Sequence, residues 1–246
     1  MNLLELSELL LDEKKAEEYL LKVGILKTFT ECEKCGSNRI TKISRGRHRC
    51  NNCESEWSMK KGSVLYNNNL SYSKFIGIVK LFELGLTAGV TSVQLSISPK
   101  TIEEFYSLFR QAIAFINQNS AIFNADIIKS QTPSFSISII DGVVDITLDT
   151  EGLKTNLFKL KRTRVPSKET SYNFHYTNVK PNEIEKCLNQ LPLEQNYFWR
   201  FAKEKLQSYR GTKMKYLYLY LKEIEFRYNN RNENVFDKIV AKIACF

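Results

Sequence analysis

The feature that most constrains this chain is a pair of cysteine pairs: Cys32-x2-Cys35, fourteen residues, then Cys50-x2-Cys53. Each CxxC lets two thiolates on one tight turn face a single ion, and two such turns complete a closed, tetrahedral four-cysteine zinc site. A closed site leaves no position for a catalytic water, so the Zn2+ it implies is structural. Residues 31–61 have little apolar content, and metal binding would supply the folding energy that the segment lacks. His48 lies between the pairs, but four sulfurs already fill the site, so it is expected at the surface. Cys187 and Cys245 stand alone and read as inert thiols.

Cysteines spaced for metal, with no basic segment leading into an apolar stretch at the N-terminus, place the chain in a reducing, intracellular setting. That means cytoplasm or nucleoid in a bacterium and nucleus in a eukaryote. No apolar run reaches the length that spans a bilayer, so no membrane partner is expected.

Charge is unevenly spread. The chain carries 36 Lys and Arg against 27 Asp and Glu, a net of +9. Residues 1–30 are net negative, while 31–61 and 196–246 hold nearly all of the excess. Positive charge clustered by module is the footprint of phosphate contacts, which makes double-stranded DNA the expected partner. In "RGRHRC", Arg45, Arg47 and Arg49 alternate as they would along a strand. Three guanidiniums on one face suit a phosphate track.

The rest reads as helix, hairpin, helix. Residues 2–24 carry apolar positions at helical spacing in one or two pieces, stopped by Gly24. Residues 70–117 read as a helix-turn-helix. A first helix has Tyr72, Phe75, Ile76, Val79 and Phe82 on one face; "LGLTAGV" is its turn, and a short helix runs from about Ser92 to Leu95. A longer helix then opens with Ser98 as N-cap and Pro99 at its first position. This last helix is the recognition candidate, with Lys100, Thr101 and Glu104 near its N-terminus, and Ile102, Phe105, Phe109 and Ile113 as its buried stripe. Residues 134–148 alternate apolar and polar about an Asp-Gly pair, a hairpin signal. Residues 195–209 and 213–228 read as two helices. The first has Phe198, Ala202 and Leu206 as its apolar stripe, and the second has Leu217, Leu221, Ile224 and Tyr228 as its seam, each with a basic surface that includes Arg200.

These stretches together resemble a known family: insertion-sequence transposases of the DDE type with an N-terminal zinc ribbon, the ISXO-like group of the Merlin-like superfamily. The resemblance runs through "DEKKAEEYLLKVGIL", "CEKCGS" with "RHRCNNCESEWSMKKGSVLYNNNLSYSKF", and "FWRFAKEKLQSYRG" with "LYLKEIEFRYNNR". It implies an α+β, multi-domain chain: a helical leader (1–30), a zinc ribbon (31–61), a helix-turn-helix (70–117) and a shortened RNase H-like α/β transposase domain with C-terminal helices (124–246). It implies DNA transposition, and a homodimer on DNA is compatible with that.

In such a family three acidic or amide side chains hold two divalent ions, Mg2+ or Mn2+, for in-line phosphoryl transfer. The third position of the family's pattern falls on Asn196, and its following lysine on Lys203. The first aspartate falls on Asp141, which closes "SFSISII", or on Asp126 in "FNADIIKS". The second should precede a tyrosine by about five residues, yet "VPSKETSY" offers Tyr172 with Ser167 or Lys168 in the carboxylate's place. The expected triad is therefore incomplete, and the alternative reading is a non-enzymatic zinc-ribbon and helix-turn-helix DNA-binding regulator of transposase descent.

Overall fold

Asp12 breaks the N-terminal apolar run in two. In the computed structural model, which describes residues 1–66, 68–116, 134–140, 143–148, 157–164, 170–176, 193–208 and 216–246, helix α1 spans Leu3–Leu11 and α2 spans Glu13–Lys22. Asn2 and Glu5 cap α1 reciprocally, and the Asp12 carboxylate accepts from the N–H groups of Lys14 and Lys15 at 2.9 and 3.3 Å. The side chain that stops one helix thus starts the next.

Three short strands follow: β1 (Ile40–Ile43), β2 (Arg47–Cys50) and β3 (Glu56–Ser58), antiparallel in the order β1-β2-β3. Helices α3 (Tyr72–Glu83), α4 (Ala88–Leu95) and α5 (Pro99–Ile116) come next. Helix α4 begins four residues before the expected Ser92. Thr87 acts as its N-cap, accepting from the Val90 N–H, so "LTAGV" is half helix rather than all turn. Ser96, in the left-handed region, ends it, and Ser98 accepts from the Thr101 N–H to open α5 as expected.

The expected apolar stripes of α3 and α5 meet. Phe75, Phe82, Phe105 and Phe109 are buried, with ring centroids 5.4–6.1 Å apart. Tyr106 joins them and exchanges a buried hydroxyl hydrogen bond with Thr91 at 2.7 Å. A Cβ on Gly77 of α3 would lie 3.1 Å from a Leu95 methyl group and 3.5 Å from one on Leu10, so glycine lets three helices approach closely there. The Glu13 carboxylate fastens α2 to the start of α3, accepting from the Tyr72 N–H at 2.6 Å, the Ser73 N–H at 3.1 Å and the Ser73 hydroxyl at 2.8 Å.

The chain divides into two compact units, Met1–Ala112 with Phe236–Phe246, and Ile113–Val235. The C-terminal stretch belongs with the first unit. Four apolar residues of its last helix, Phe236, Ile239, Val240 and Ile243, are buried, and Lys80 lies over the Phe236 ring at 5.6 Å.

The second unit holds strands β4 (Ser134–Ile140), β5 (Val143–Leu148), β6 (Leu157–Arg164) and β7 (Thr170–Tyr176) in the order β5-β4-β6-β7. The hairpin expected at 134–148 is β4–β5. Every pairing among the described strands is antiparallel. Helices α6 (Leu193–Ser208) and α7 (Leu217–Asn229) complete the unit, and α8 (Val235–Ala244) closes the chain. Phe198, Ala202 and Leu206 of α6 are buried as expected. Helix α7 was expected to show a basic surface, but Lys222, Glu223 and Glu225 are buried along with Leu221, Ile224 and Tyr228. The reason is the free edge of β5. The Glu225 carboxylate accepts from the Ile146 N–H at 2.8 Å, and the Lys222 ammonium donates to the Ile146 carbonyl at 3.1 Å and to Glu225 at 2.6 Å.

Candidate metal centre and basic ribbon

The two cysteine turns share one backbone pattern. In the first, the Cys32 N–H donates to the Ser37 carbonyl at 2.9 Å, and the Gly36 N–H to the Cys32 carbonyl at 2.8 Å. In the second, the Cys50 N–H donates to the Ser55 carbonyl at 2.9 Å, and the Glu54 N–H to the Cys50 carbonyl at 2.9 Å. The fifth residue of each turn is left-handed: Gly36 at φ +68° and Glu54 at φ +58°. Glycine takes that conformation freely; glutamate takes it under strain.

These turns bring four thiols together from the first strand-flanking loop and the second. All four sulfurs lie within 4.8 Å of one another, with Cys32 to Cys53 and Cys35 to Cys50 each at 3.6 Å. A tetrahedral zinc with sulfurs at about 2.3 Å separates them by about 3.8 Å, so the residues present fit that ion. Cys32 and Cys50 are buried while Cys35 is exposed, as in a closed structural site at a protein's rim. Outside the ligand set, the Ser55 hydroxyl sits 3.3 Å from the Cys32 sulfur and 3.2 Å from the Cys53 sulfur, and the Asn52 amide donates to Cys35 at 3.7 Å. The Ser55 hydroxyl holds the Cys32 and Cys53 thiols below their ordinary value. Such outer partners orient ligands and damp their charge. They went unread in the sequence, although the repeated C-x2-C-x-S of "CEKCGS" and "CNNCES" carries the signal.

His48, expected at the surface, is half-buried. It faces inward from β2, opposite Trp57 of β3, with ring planes 16° apart, and Phe29 packs edge-on to Trp57 at 5.7 Å. Burial, then the nearby Lys42, lowers its pKa, with Glu17 opposing. This half-buried aromatic trio packs on the face of β2 opposite the arginines.

The opposite face of β2 carries Arg47 and Arg49. Arg45 does not continue that row: it falls in the 3-10 turn Ser44–Gly46, so two of the three expected arginines share strand register. Arg47 is exposed and Arg49 half-buried, and each meets a carboxylate, Arg47 with Glu56 at 2.9 Å and Arg49 with Glu54 at 3.2 Å. Solvent-screened pairs of this kind contribute about 0–1 kcal/mol, so a phosphate can displace them.

The remaining candidates are scattered. Lys100 is exposed in the first turn of α5, and Arg200 is exposed on α6. Asn196 and Lys203 both fall within α6. Asp126 and Asp141 lie outside the described residues, as do Ser167 and Lys168. Among the described residues, the four cysteines form the one group of three or more ligand-type side chains able to share an ion, so the Mg2+ or Mn2+ expected from the resemblance has no acidic cluster there. No described helix is long and apolar enough to cross a membrane. No protein-family model, no curated protein and no solved structure matches the chain.

Proposed function

We propose that this is a zinc-structured protein that binds double-stranded DNA, built on the plan of a DDE insertion-sequence transposase but without its cleavage chemistry. One observation carries the reading: four converging thiols, placed to share one ion, flank an antiparallel ribbon that presents Arg47 and Arg49 in register on one face. Guanidiniums held on a rigid strand suit phosphate oxygens, and the chain's net +9 supplies long-range attraction. In this reading α3, α4 and α5 act as a helix-turn-helix with Lys100 at the entry of the recognition helix, and Arg200 adds a backbone contact. A homodimer on the duplex, in a reducing intracellular compartment, belongs to the same proposal.

The transposase descent rests on the sequence resemblance, which includes Asn196 and Lys203, and the RNase H-like core of the second unit is part of that proposal. The lack of strand cleavage rests on chemistry. With Ser167 or Lys168 in place of the second aspartate, two divalent ions would be held by too little negative charge to activate a phosphodiester. That favours a DNA-binding regulator as the present role.

Two measurements test the reading. Fluorescence anisotropy with a mixed-sequence duplex should show binding at about 50 mM salt that weakens steeply by about 200 mM, since bound phosphates release counterions. A supercoiled plasmid with Mn2+ should stay intact. Absence of any duplex binding at low salt would remove the DNA reading; Mn2+-dependent nicking lost on Asp141→Ala or Asp126→Ala would restore the enzyme.

A further inference from the structure

Glu54 stands where its own backbone and the neighbouring cysteine site argue against it. Its counterpart in the first cysteine turn is Gly36, with the same hydrogen bond to the leading cysteine's carbonyl and the same left-handed backbone. A glycine at position 54 would remove the strain at once. The carboxylate also adjoins Cys53, beside a site that would carry two net negative charges once four thiolates held a dication. One contact offsets that cost: the Arg49 guanidinium at 3.2 Å, on the ribbon's cationic face.

We propose that Glu54 is a built-in competitor for the ribbon's phosphate site. Its carboxylate occupies the position on Arg49 that a backbone phosphate would take, as Glu56 does on Arg47. Arg49 is half-buried and Glu54 exposed, so solvent screens the pair and the competition is reversible. The Glu54 side chain is three-quarters exposed and free to swing away once a stronger anion arrives. The effect is to set a threshold. A single weak anion does not displace two carboxylates, whereas a polyphosphate backbone reaching Arg47 and Arg49 together does. Glu54 thereby determines which polyanions the ribbon accepts and at what salt concentration. This inference rests on the DNA-binding reading of the same face.

The experiment uses the full zinc-loaded chain and a mixed-sequence duplex of about 25 base pairs, titrated at about 50 and 200 mM salt. Glu54→Gln keeps the strained backbone but removes the charge; Glu54→Gly removes both. Both should bind about three-fold tighter or better at the lower salt, with the gain shrinking at the higher. Only Glu54→Gly should also raise the unfolding temperature. In an Arg49→Gln background the Glu54→Gln gain should vanish. Glu31→Gln removes an exposed ribbon carboxylate that has no arginine partner among the described residues, and it should change affinity much less. If the wild type binds and Glu54→Gln binds no tighter, or if Glu31→Gln gives the same gain, the competitor role is overturned while the DNA reading stands. If neither protein binds the duplex at low salt, both fall.

Discussion

Asn229 of α7 grips Val144 of β5 with both ends of its carboxamide: the Oδ1 accepts from the Val144 N–H at 2.9 Å, and the Nδ2 donates to the Val144 carbonyl at 2.7 Å. One turn earlier, Glu225 and Lys222 do the same for Ile146. Four residues of helix rise about 6 Å and two residues of strand about 6.8 Å, so a helix can present side chains at nearly the spacing of a neighbouring strand. Helix α7 thus completes the edge of the sheet without being a strand, and it covers backbone groups that would otherwise invite another chain.

Asn229→Leu keeps the volume of the side chain but strips Val144 of that donor and acceptor. It should cost about 1–3 kcal/mol in denaturant unfolding. Amide exchange at Val144 should accelerate more than exchange elsewhere in β5. Equal acceleration along the whole strand would point to general loosening instead of a local clamp.

Lys222 and Glu225 differ in what their loss should do. Burial raises the Glu225 pKa, with the Lys222 ammonium opposing. Because the folded value lies above the ordinary 4.5, the contribution of this carboxyl to stability is full below 4.5 and is lost as pH rises through the folded value. Lys222→Met removes the opposing cation and the donor to Ile146, so it should cost about 3–5 kcal/mol near neutral pH. The loss should shrink as pH falls, because a protonated Glu225 no longer leaves a buried charge unpaired. Glu225→Gln keeps an acceptor for the Ile146 N–H but leaves the buried Lys222 ammonium with the Asp145 carboxylate at 3.5 Å, so it should also cost about 3–5 kcal/mol, and that cost should not shrink towards acid. Urea titrations of the two variants at pH 5 and 7.5 check both costs and their opposite slopes.

The metal centre gives a graded series. The purified chain should carry one zinc with Cys32, Cys35, Cys50 and Cys53 shielded from thiol reagents. Cys50→Ser should abolish stoichiometric loading, and chelation of the native chain should melt β1 to β3, seen as loss of the Trp57 environment. Ser55→Ala leaves all four ligands but removes the hydroxyl between two of them. It should weaken zinc about 10-fold or more, read by competition with a chromophoric chelator. Substituting Co2+ should give the absorption of a tetrahedral tetrathiolate; a spectrum lacking thiolate charge-transfer bands would sink the assignment.

What the sequence made legible was local. The Cys32, Cys35, Cys50 and Cys53 spacing, the Ser98 cap and the stripes through Phe75, Phe105 and Phe198 depend on residues close along the chain, and they read correctly. The β4–β5 hairpin read correctly for the same reason. Long-range choices did not. Nothing near Lys222 or Glu225 tells that their partner is the backbone of Ile146, more than seventy residues earlier, so the helix looked like a basic surface. Arg45 alternated like a strand residue until Gly46 at φ +65° turned the chain. His48 looked superfluous because its real neighbours, Phe29 and Trp57, meet it only through strand pairing and a preceding loop.

The same limit hid the part played by the C-terminus. Helix α8 is short, and its pattern alone does not say which unit it serves. The Met1 ammonium meets Asp237 at 3.7 Å, and Tyr19, whose hydroxyl is pushed up to about 12 by burial and then by Asp237, packs in the same region. A chain ending at Asn234 would lose the burial of Phe236, Ile239, Val240 and Ile243. At about 1.5–3 kcal/mol for each side chain, the loss is about 6–12 kcal/mol. That is comparable with the whole stability of a domain, about 5–15 kcal/mol. The truncated chain should therefore be degraded within 1–112 under limited proteolysis that leaves the intact protein whole, and zinc should not rescue it, because the ribbon's metal stabilises β1 to β3 and not the helical core. Equal protease resistance of the two chains would show that α1 to α5 hold together without α8.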